Sequence, residues 1–224
     1  MLVRDWMTSN VITVTKDTTM PEASKIMKEN KISQLPVVDK GGRLVGIVSD
    51  RDIKAASPSK ATTLDVHELY YLIASIKIKD IMSSPAFSVA PTDTVESAAL
   101  FLLEKDIGSL PVIDDDEKVV GIISDSDIFK VLIAITGAKH GGVQMGFNLP
   151  LEPGSLRVIL DDLRAHGARV LSILTSMEKA DQGRREVYIR IQPMDRSEEN
   201  AVIDALKEKY NMMYWARERV HPLV

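Results

Sequence analysis

Two motifs in this sequence place a serine hydroxyl and an aspartate carboxylate three residues apart. They are Gly46-Ile47-Val48-Ser49-Asp50-Arg51-Asp52 and Gly121-Ile122-Ile123-Ser124-Asp125-Ser126-Asp127. Each predicts a buried strand that leads into a helix start, where unpaired backbone N–H groups attract an anion such as phosphate. Ser49 can add a hydroxyl donor, and Asp52 can accept hydrogen bonds from both hydroxyls of a ribose. Gly46 is expected to let the backbone approach the ligand closely.

The same spacing also has a purely structural interpretation. A serine followed three residues later by an aspartate has the approximate pattern of an N-terminal capping arrangement, in which side chains satisfy the first N–H groups of a helix. A capping oxygen can still donate its own proton to a ligand. The sequence therefore leaves both roles open.

Both motifs belong to an internal repeat with an offset of 75 residues. Residues 4–54 align without gaps on residues 79–129 with 19 identities, whereas composition alone would give roughly three. Agreement is densest where Leu35-Pro36-Val37-Val38-Asp39 lies over Leu110-Pro111-Val112-Ile113-Asp114, and in the two motifs themselves. A unit this small seldom covers its own apolar face, so the repeat predicts two copies related by a pseudo-twofold axis.

Composition excludes several classes of function. The 224 residues include no cysteine, which excludes disulfides, thiolate metal sites and cysteine nucleophiles. A net charge of −4 without basic runs argues against a nucleic-acid surface. The N-terminus lacks the apolar core of a signal peptide, and no apolar run approaches the ~20 residues of a membrane span. We therefore expect a cytoplasmic protein with no membrane partner.

Each copy is predicted to form a strand-helix-strand-strand-helix unit. Copy 1 has a strand at Val11–Val14, a helix from Thr19 with Glu22 in a capping box, strands at Leu35–Val38 and Leu44–Val48, and a helix from Ser49. Copy 2 has the corresponding elements from Ala86–Val89, Thr94 and Ser124. Between the copies, Ser57-Pro58 followed by Leu64, Glu68, Leu69, Leu72, Ile73 and Ile76 predicts an amphipathic helix.

The glycine-rich stretch after Ile135 predicts a domain boundary. The elements beyond it are a strand at 143–148, a helix at 155–166 with Gly167 after its end, strands at 169–176 and 186–192, a helix at 197–209 and a strand at 212–217. This βαββαβ order is the ferredoxin-like pattern. The predicted fold class is therefore α+β, with copy 1 and the connecting helix in 1–76, copy 2 in 77–136, a linker in 137–142 and a ferredoxin-like domain in 143–224.

The two copies resemble a tandem of CBS domains, also called a Bateman module. The resemblance covers residues 1 to about 135, because the order of the motifs recurs twice at fixed spacing. It implies a regulatory module that binds an adenosine-containing ligand, such as AMP, ADP, ATP or S-adenosylmethionine, in a cleft between the copies. It also implies self-association, so we expect a homodimer.

The resemblance also implies a role for individual residues. The ribose carboxylates would be Asp52 and Asp127, and the phosphate-facing hydroxyls would be Ser49 and Ser124. Adenine would lie near Thr13, Ser33, Gln34, Leu35 and Pro36 in one site, and near Ser88, Gly108, Ser109, Leu110 and Pro111 in the other.

The two sites are expected to differ in their charge. Arg51 offers a guanidinium for bidentate contact with a phosphate, whereas its counterpart in copy 2 is Ser126. Asp50 and Asp125 add negative charge at both helix starts and disfavour a triphosphate. We therefore expect the first site to bind a phosphorylated nucleotide, with AMP or the cationic S-adenosylmethionine fitting this balance best.

The C-terminal region resembles an ACT domain over residues 143 to about 218. The turn Leu151-Glu152-Pro153-Gly154-Ser155-Leu156 carries the resemblance, which implies an amino-acid ligand near Glu152 and Gly154 or a role in dimerisation. A plain strand-to-helix turn explains the same residues. The order of the domains is similar to that of bacterial regulatory proteins of the acetoin-utilisation type.

Together these patterns predict a non-catalytic ligand sensor that acts on an unidentified regulated protein. An alternative is a regulatory subunit that works mainly through protein contacts, with no nucleotide bound. An enzyme is disfavoured because the two modules leave no catalytic domain, phosphate-loop motif or nucleophile elbow. His67 and His140 do not form a metal-ligand pattern, and the segment 186–192 is weak support for nucleic-acid binding.

Overall fold

A computed structural model describes residues 1–57 and 73–219. The chain divides into two compact units, residues 1–128 and residues 129–224. Most of the predicted connecting helix, including His67, lies outside the described residues, but Ile73 and Ile76 pack against the core of copy 1. Among the described helices, none has the length and apolar character needed to cross a membrane.

The first unit contains the two copies of the repeat. Copy 1 consists of β1 (Val14–Thr15), α1 (Met20–Asn30), β2 (Gln34–Val38), β3 (Leu44–Ser49) and α2 (Asp50–Ala56). Copy 2 contains α3 (Val95–Lys105), β4 (Ser109–Ile113) and β5 (Val119–Ser124), followed by α4 (Asp125–Thr136), within which the two units divide. In each copy the last two strands pair in antiparallel fashion.

The first strand of each copy is shorter than predicted. In copy 1 only Val14 and Thr15 pair with β2, and in copy 2 a single bridge joins Val89 to Val112. Burial explains the difference, because Val14 is in the core whereas Val11, Ile12 and Thr13 are only partly covered.

Local capping signals set the starts of the first helices as predicted. Thr19 Oγ1 accepts a hydrogen bond from the backbone of Glu22 (3.4 Å), while Glu22 Oε2 accepts one from the backbone of Thr19 (2.9 Å). In copy 2, Thr94 Oγ1 accepts from the backbone of Ser97 (3.1 Å). These bonds satisfy N–H groups that a helix leaves unpaired, so both helices begin at equivalent positions.

Each copy is completed by a segment that precedes the other copy, and we call residues 1–8 and 77–83 the exchanged segments. The backbones of Ile47 and Ser83 exchange hydrogen bonds of 3.0 and 2.9 Å, which joins the second segment to β3 of copy 1. Thr8 and Ile122 make the equivalent pair in copy 2, with bonds of 2.9 and 3.0 Å. The two copies are therefore interlocked rather than merely adjacent.

The exchanged segments also supply core residues. Ile78 is fully buried in the hydrophobic core of copy 1, and Val3 occupies the equivalent position 75 residues earlier. Both belong to short 3-10 helices, Val3–Asp5 and Ile78–Asp80. Removing either side chain would leave a cavity in the copy that receives the segment.

Gly46 has a different role from the one predicted. A Cβ atom at this position would lie 2.7 Å from Sδ of Met82 and 3.0 Å from the carbonyl oxygen of Ser83, both in an exchanged segment. At Gly121 a Cβ would meet Met7 in the same way. The glycine of each motif thus makes room for a methionine of the exchanged segment, which is a packing role that the sequence did not indicate.

The second unit is a four-stranded antiparallel sheet with helices packed on one face. Its elements are β6 (Gly142–Pro150), α5 (Ser155–Ala165), β7 (Val170–Ser176), β8 (Arg184–Ile191), α6 (Arg196–Lys209) and β9 (Met212–Glu218). The order of elements matches the prediction, and the strand order across the sheet is β7-β8-β6-β9. Its core joins inward side chains of the sheet to Ile159, Leu163, Val202, Ile203 and Leu206 of the two helices.

The opposite face of this sheet carries paired polar and aromatic side chains. Tyr188 donates a hydrogen bond to Oε2 of Glu186 (2.6 Å), and its ring lies 6.3 Å from that of Tyr214. Tyr214 covers Gly146, where a Cβ would collide with its ring. Arg190 is buried and donates to Glu218 (2.7 Å), so its guanidinium is not presented to a nucleic-acid phosphate. On the edge strand β9, Met213, Tyr214 and Trp215 are all about two-fifths exposed and are not core residues.

The Tyr188 hydrogen bond should make stability depend on alkaline pH. Acceptance by Glu186 raises the pKa of Tyr188 to about 12, above the ordinary value near 10. A raised pKa stabilises the fold fully below about pH 10, and the contribution is lost as pH rises through 12. We expect the difference in unfolding free energy between wild type and Tyr188→Phe to be constant below pH 10 and to shrink from pH 10 to 12.

Urea unfolding between pH 8 and pH 12 measures this difference. Glu186→Gln serves as the control, because it removes the negative charge but leaves the phenol, and should return the titration of Tyr188 towards pH 10. If the difference in unfolding free energy from wild type stays constant up to pH 12 for both Tyr188→Phe and Glu186→Gln, the hydrogen bond to Glu186 does not raise the pKa of Tyr188.

Candidate functional site

The motif of copy 1 forms a complete capping arrangement at the junction of β3 and α2. Oδ2 of Asp52 accepts hydrogen bonds from the backbone N–H of Ser49 (2.8 Å) and from its hydroxyl (2.6 Å), while Oγ of Ser49 accepts from the backbone of Asp52 (3.2 Å). The structural interpretation of the motif is therefore confirmed. Within the described part of the chain, Oδ1 of Asp52 has no hydrogen-bond partner.

This arrangement determines what each side chain can offer to a ligand. The proton of the Ser49 hydroxyl already points to Asp52, so it would have to rotate before it could donate to a phosphate. Oδ1 of Asp52 remains able to accept hydrogen bonds from a ligand, because the bonds from Ser49 go to Oδ2. A diol is a suitable partner for that oxygen because it supplies two hydroxyl protons.

Copy 2 repeats the arrangement with deeper burial. Oδ2 of Asp127 accepts from the backbone (3.0 Å) and hydroxyl (2.8 Å) of Ser124. Asp127 is only 5% exposed, whereas Asp52 is partly exposed. The two carboxylates therefore share the two bonds from the serine but differ in their accessibility.

A cavity of about 450 Å³ lies within the first unit, where the two copies meet. Copy 1 contributes Ser33, Gln34, Ile47, Ser49, Asp50, Arg51 and Asp52. The chain from the exchanged segment through copy 2 contributes Ser83, Pro85, Ala86, Phe87, Asp106, Ile107, Gly108, Ser109 and Asp125. The volume is in the usual range for small-molecule sites. Most of the apolar lining comes from copy 2, and the serine-arginine-aspartate group comes from copy 1.

The cavity unites residues that the sequence assigned to separate sites. Ser33, Gln34, Ser49, Arg51 and Asp52 of the first predicted site line it together with Gly108 and Ser109 of the second. Ser109 donates a hydrogen bond to Oε1 of Gln34, and these two residues occupy equivalent positions in the two copies. The pseudo-twofold relation of the copies therefore brings residues of both predicted sites to one cavity.

Other predicted residues lie elsewhere. Leu35 and Leu110 are fully buried, and Pro36 and Pro111 are also buried, so these side chains belong to the cores of the copies. Thr13, Ser88, Ser124 and Asp127 are described but are not part of the lining of this cavity.

The charges around the cavity are unequal. Asp50 forms an ion pair with Lys54 (2.6 Å), and this hydrogen bond lowers the pKa of Asp50. Arg51 is exposed, and its guanidinium makes no side-chain hydrogen bond or ion pair with a described residue, although its backbone and charge act on Asp50. Its counterpart Ser126 bonds through its backbone to Asp125 in the same way (2.5 Å) but has no charge. The guanidinium of Arg51 is thus available to an incoming anion.

Sequence reasoning missed the contribution of residues 85–87. Ala86 and Phe87 were predicted to begin the first strand of copy 2, whereas Pro85, Ala86 and Phe87 line the cavity beside the motif of copy 1. The aromatic ring of Phe87 was a usable signal, because the equivalent position in copy 1 is Ile12 and the repeat therefore does not require an aromatic residue there.

The turn at Glu152 and Gly154 lies in the second unit, before α5. Gly154 has a φ of +89°, and no side chain caps the helix there. Arg185 donates from Nη2 to Oγ of Ser155 (3.2 Å), while its Nε is buried and has no partner among the described residues. Glu152 is exposed.

The first unit is thus a duplicated module with a cavity where its two interlocked copies meet. The family model described as the CBS domain matches residues 3–59 and 78–134, just over half of the chain. The chain belongs to the CBS domain family. The sheet of the second unit lies outside these matched ranges.

Individual relatives support the same conclusion. A CBS domain-containing protein of Dictyostelium discoideum is 30% identical over 135 residues, which cover 60% of this chain and 93% of that protein. The CBS domain pair of protein MJ0100, solved with 5′-methylthioadenosine and S-adenosyl-L-methionine, has 29% identity and a TM-score of 0.50, and the match covers 59% of this chain and 95% of that pair. AcuB of Vibrio cholerae, described as an acetoin utilization protein, has 32% identity and a TM-score of 0.50 over 59% of this chain and 90% of that one.

Some relatives are enzymes of which the matched region is a small part. The match to homoserine O-acetyltransferases of three archaeal species spans 24% of each enzyme. The region that matches this chain therefore makes up most of the Dictyostelium protein but only about a quarter of these enzymes.

Proposed function

We propose that this protein is a non-catalytic regulatory sensor whose cavity binds an adenosine-containing ligand, with AMP favoured over ADP, ATP and S-adenosylmethionine. The observation that carries the proposal is the combination of Ser49, Arg51 and Asp52 with apolar residues of copy 2 around one cavity of about 450 Å³. A nucleotide has matching parts, because it joins an apolar base to a diol and an anion. The adenosine ligands in the similar pair of MJ0100 support the same class.

The contacts follow from the geometry of copy 1. The ribose hydroxyls donate to Oδ1 of Asp52, because Oδ2 is already occupied by Ser49. The phosphate pairs with the guanidinium of Arg51, which can offer two parallel N–H donors. The base lies against the apolar residues that copy 2 supplies.

Charge favours a ligand with one phosphate. Asp106 and Asp125 also line the cavity, and only part of the carboxylate charge is offset by Lys54 on Asp50. Each further phosphate would add negative charge close to these groups, with Arg51 as a basic residue of the lining to offset it. The cationic sulfonium of S-adenosylmethionine is compatible with the same surroundings, so it is the second ligand to test.

Calorimetric titration of AMP, ADP, ATP and S-adenosylmethionine tests the proposal. Asp52→Asn keeps the cap, because the amide oxygen can replace Oδ2, but it places an N–H₂ donor where the ribose needs an acceptor. We expect this change to weaken AMP binding by about 10- to 100-fold, the loss of a hydrogen bond to a charged group. Arg51→Ser should weaken AMP but not adenosine.

Asp127→Asn is the matched control, since it makes the same chemical change in the copy whose carboxylate does not line this cavity. It should leave AMP binding within about twofold of wild type, well below one hydrogen bond to a charged group. If Asp127→Asn abolishes binding and Asp52→Asn does not, the assignment of the site to copy 1 is wrong.

A second function is a regulatory subunit that acts through protein contacts with no nucleotide bound. The capping geometry favours it, because the bonds between Ser49 and Asp52 already account for the motif without a ligand. Failure of all four adenosine ligands to bind would leave this function in place of the first.

The finer assignments are also proposals. We divide the chain into copy 1 with its connecting helix (1–76), copy 2 (77–136), a linker (137–142) and an ACT-like ferredoxin domain (143–224). The sheet order β7-β8-β6-β9 supports the last of these. That domain would bind an amino acid near Glu152 and Gly154 or dimerise, in a cytoplasmic homodimer. Nucleotide binding would shift the population of arrangements and so alter a partner surface.

A further inference from the structure

An aromatic cluster with a lysine lies at the copy 2 side of the cavity. Phe87 lines the cavity, and its ring makes an edge contact with Phe101, with centroids 5.3 Å apart and planes at 80°. The ammonium of Lys105 lies 5.3 Å from the centre of the Phe87 ring and 5.9 Å from that of Phe101. Phe87 nevertheless remains 48% exposed. Packing on Phe101 therefore leaves about half of an apolar ring uncovered beside the cavity.

The cluster is specific to copy 2. At the equivalent positions, 75 residues earlier, copy 1 has Ile12, Ile26 and Asn30. These residues can fill apolar space, but they have no aromatic face, and Asn30 instead bonds to the backbone of Ile26 (2.8 Å). All three members of the cluster differ at once, although the cores of the two copies are closely similar. Packing of the repeat thus does not require the aromatic ring.

We propose that Phe87 is the residue that binds the base of the ligand, by stacking its ring on it. This inference rests on the proposed adenosine site and names the side chain that recognises the base. Stacking uses the π-face, which every base has, so this contact does not depend on the substituents of the base. The edge contact from Phe101 and the cation of Lys105 hold the ring before the ligand arrives, so less conformational entropy is lost on binding.

Phe87→Leu separates stacking from simple hydrophobic contact. Leucine keeps apolar bulk at the site but has no aromatic face. Titrations of the full chain with AMP and with ribose 5-phosphate, which has the same sugar and phosphate but no base, provide the comparison. We expect AMP binding to weaken by about 5- to 30-fold, while ribose 5-phosphate binds as it does to wild type.

Two further variants strengthen the test. Ile12→Leu makes a similar change at the equivalent position of copy 1 and should leave AMP binding unchanged. Phe87→Trp places a fluorophore at the site, and its emission, taken as the difference from wild type with its own two tryptophans, should be quenched by AMP but not by ribose 5-phosphate. A role for Phe87 in folding alone would not produce that base-dependent signal.

The outcomes distinguish the two proposals. Unchanged AMP affinity in Phe87→Leu, or an equal loss for ribose 5-phosphate, would overturn stacking while leaving the adenosine site intact. If wild type binds none of the adenosine ligands, both proposals are overturned together. If Asp52→Asn loses AMP binding and Phe87→Leu binds AMP normally, the ribose lies at Asp52 as proposed, but the base does not stack on Phe87.

Discussion

Replacing Ile78 with alanine is expected to lower the free energy of unfolding of the first unit by about 2–5 kcal/mol, the range for a buried isoleucine reduced to alanine. Ile78 is fully buried in the core of copy 1, although it precedes copy 2 in the sequence. The damage should therefore appear in β2 and β3 rather than in β4 and β5. Urea unfolding measures the loss, and amide hydrogen exchange shows which copy opens first.

Two other variants control for position and composition. Lys79→Ala changes an exposed neighbour in the same segment and should alter the unfolding free energy by less than about 0.5 kcal/mol. Val3→Ala removes the equivalent buried residue of the other exchanged segment, and its faster-exchanging amides should lie in copy 2. If Ile78→Ala instead exposes β4 and β5 first, the exchange of segments between the copies is incorrect.

Replacing Glu199 with alanine should destabilise the second unit by about 3 kcal/mol, the lower end of the range for removing one partner of a buried ion pair. Glu199 is 4% exposed and accepts a 2.5 Å bond from Nε of Arg217, which joins α6 to the edge strand β9. The lower end applies because the side chain of Arg217 is 26% exposed and keeps its bond to Asn200 and its contact with Trp215. Thermal or urea unfolding measures the effect.

An exposed ion pair in the same unit is the matched control. Arg157 and Asp161 lie one helical turn apart with side chains 84% and 57% exposed, so Asp161→Ala should change stability by well under about 1 kcal/mol. Replacing both Glu199 and Arg217 with methionine should recover much of the loss, because no buried charge then lacks a partner. A double variant as unstable as Glu199→Ala would show that the charges themselves are not what matters.

Features that depend on residues three or four positions apart were predictable from the sequence. The capping arrangements at Thr19 and Ser49 are examples, since the side chains and backbone groups that they join lie within one helical turn. The turn after α5 is another, where Gly167 has the positive φ of +72° that its position suggested. In these places local chemistry allows few alternatives, so the sequence pattern is sufficient.

The exchange of segments between the copies could not be predicted in this way. The repeat makes the two copies alike, so the residues before each copy are compatible with β3 or with β5 as a neighbour. Only the path of the whole chain decides between them. For the same reason the sequence assigned Gly46 to the ligand, although its small size serves a methionine from the opposite copy.

The composition of the cavity was predictable only in part. The identities between the copies located Ser49 and Asp52, but they also included Leu35 and Leu110, which are shared because both cores need them. Identity between repeats therefore does not separate packing from binding. Phe87 was overlooked for the opposite reason, because it differs from its equivalent Ile12 and the identities between the copies do not mark it.

The exchanged segments impose an order on folding during synthesis of the chain. Copy 1 cannot close until residues 77–83 have left the ribosome, because Ile78 completes its core and Ser83 pairs with its last strand. The backbones of Met1, Val3 and Arg4 can bond only once residues 91–95 have been made, and Thr8 must wait for Ile122 of β5, more than a hundred residues later. Residues 1–8 thus reach their native place on copy 2 long after they are synthesised, although they precede copy 1 in the chain.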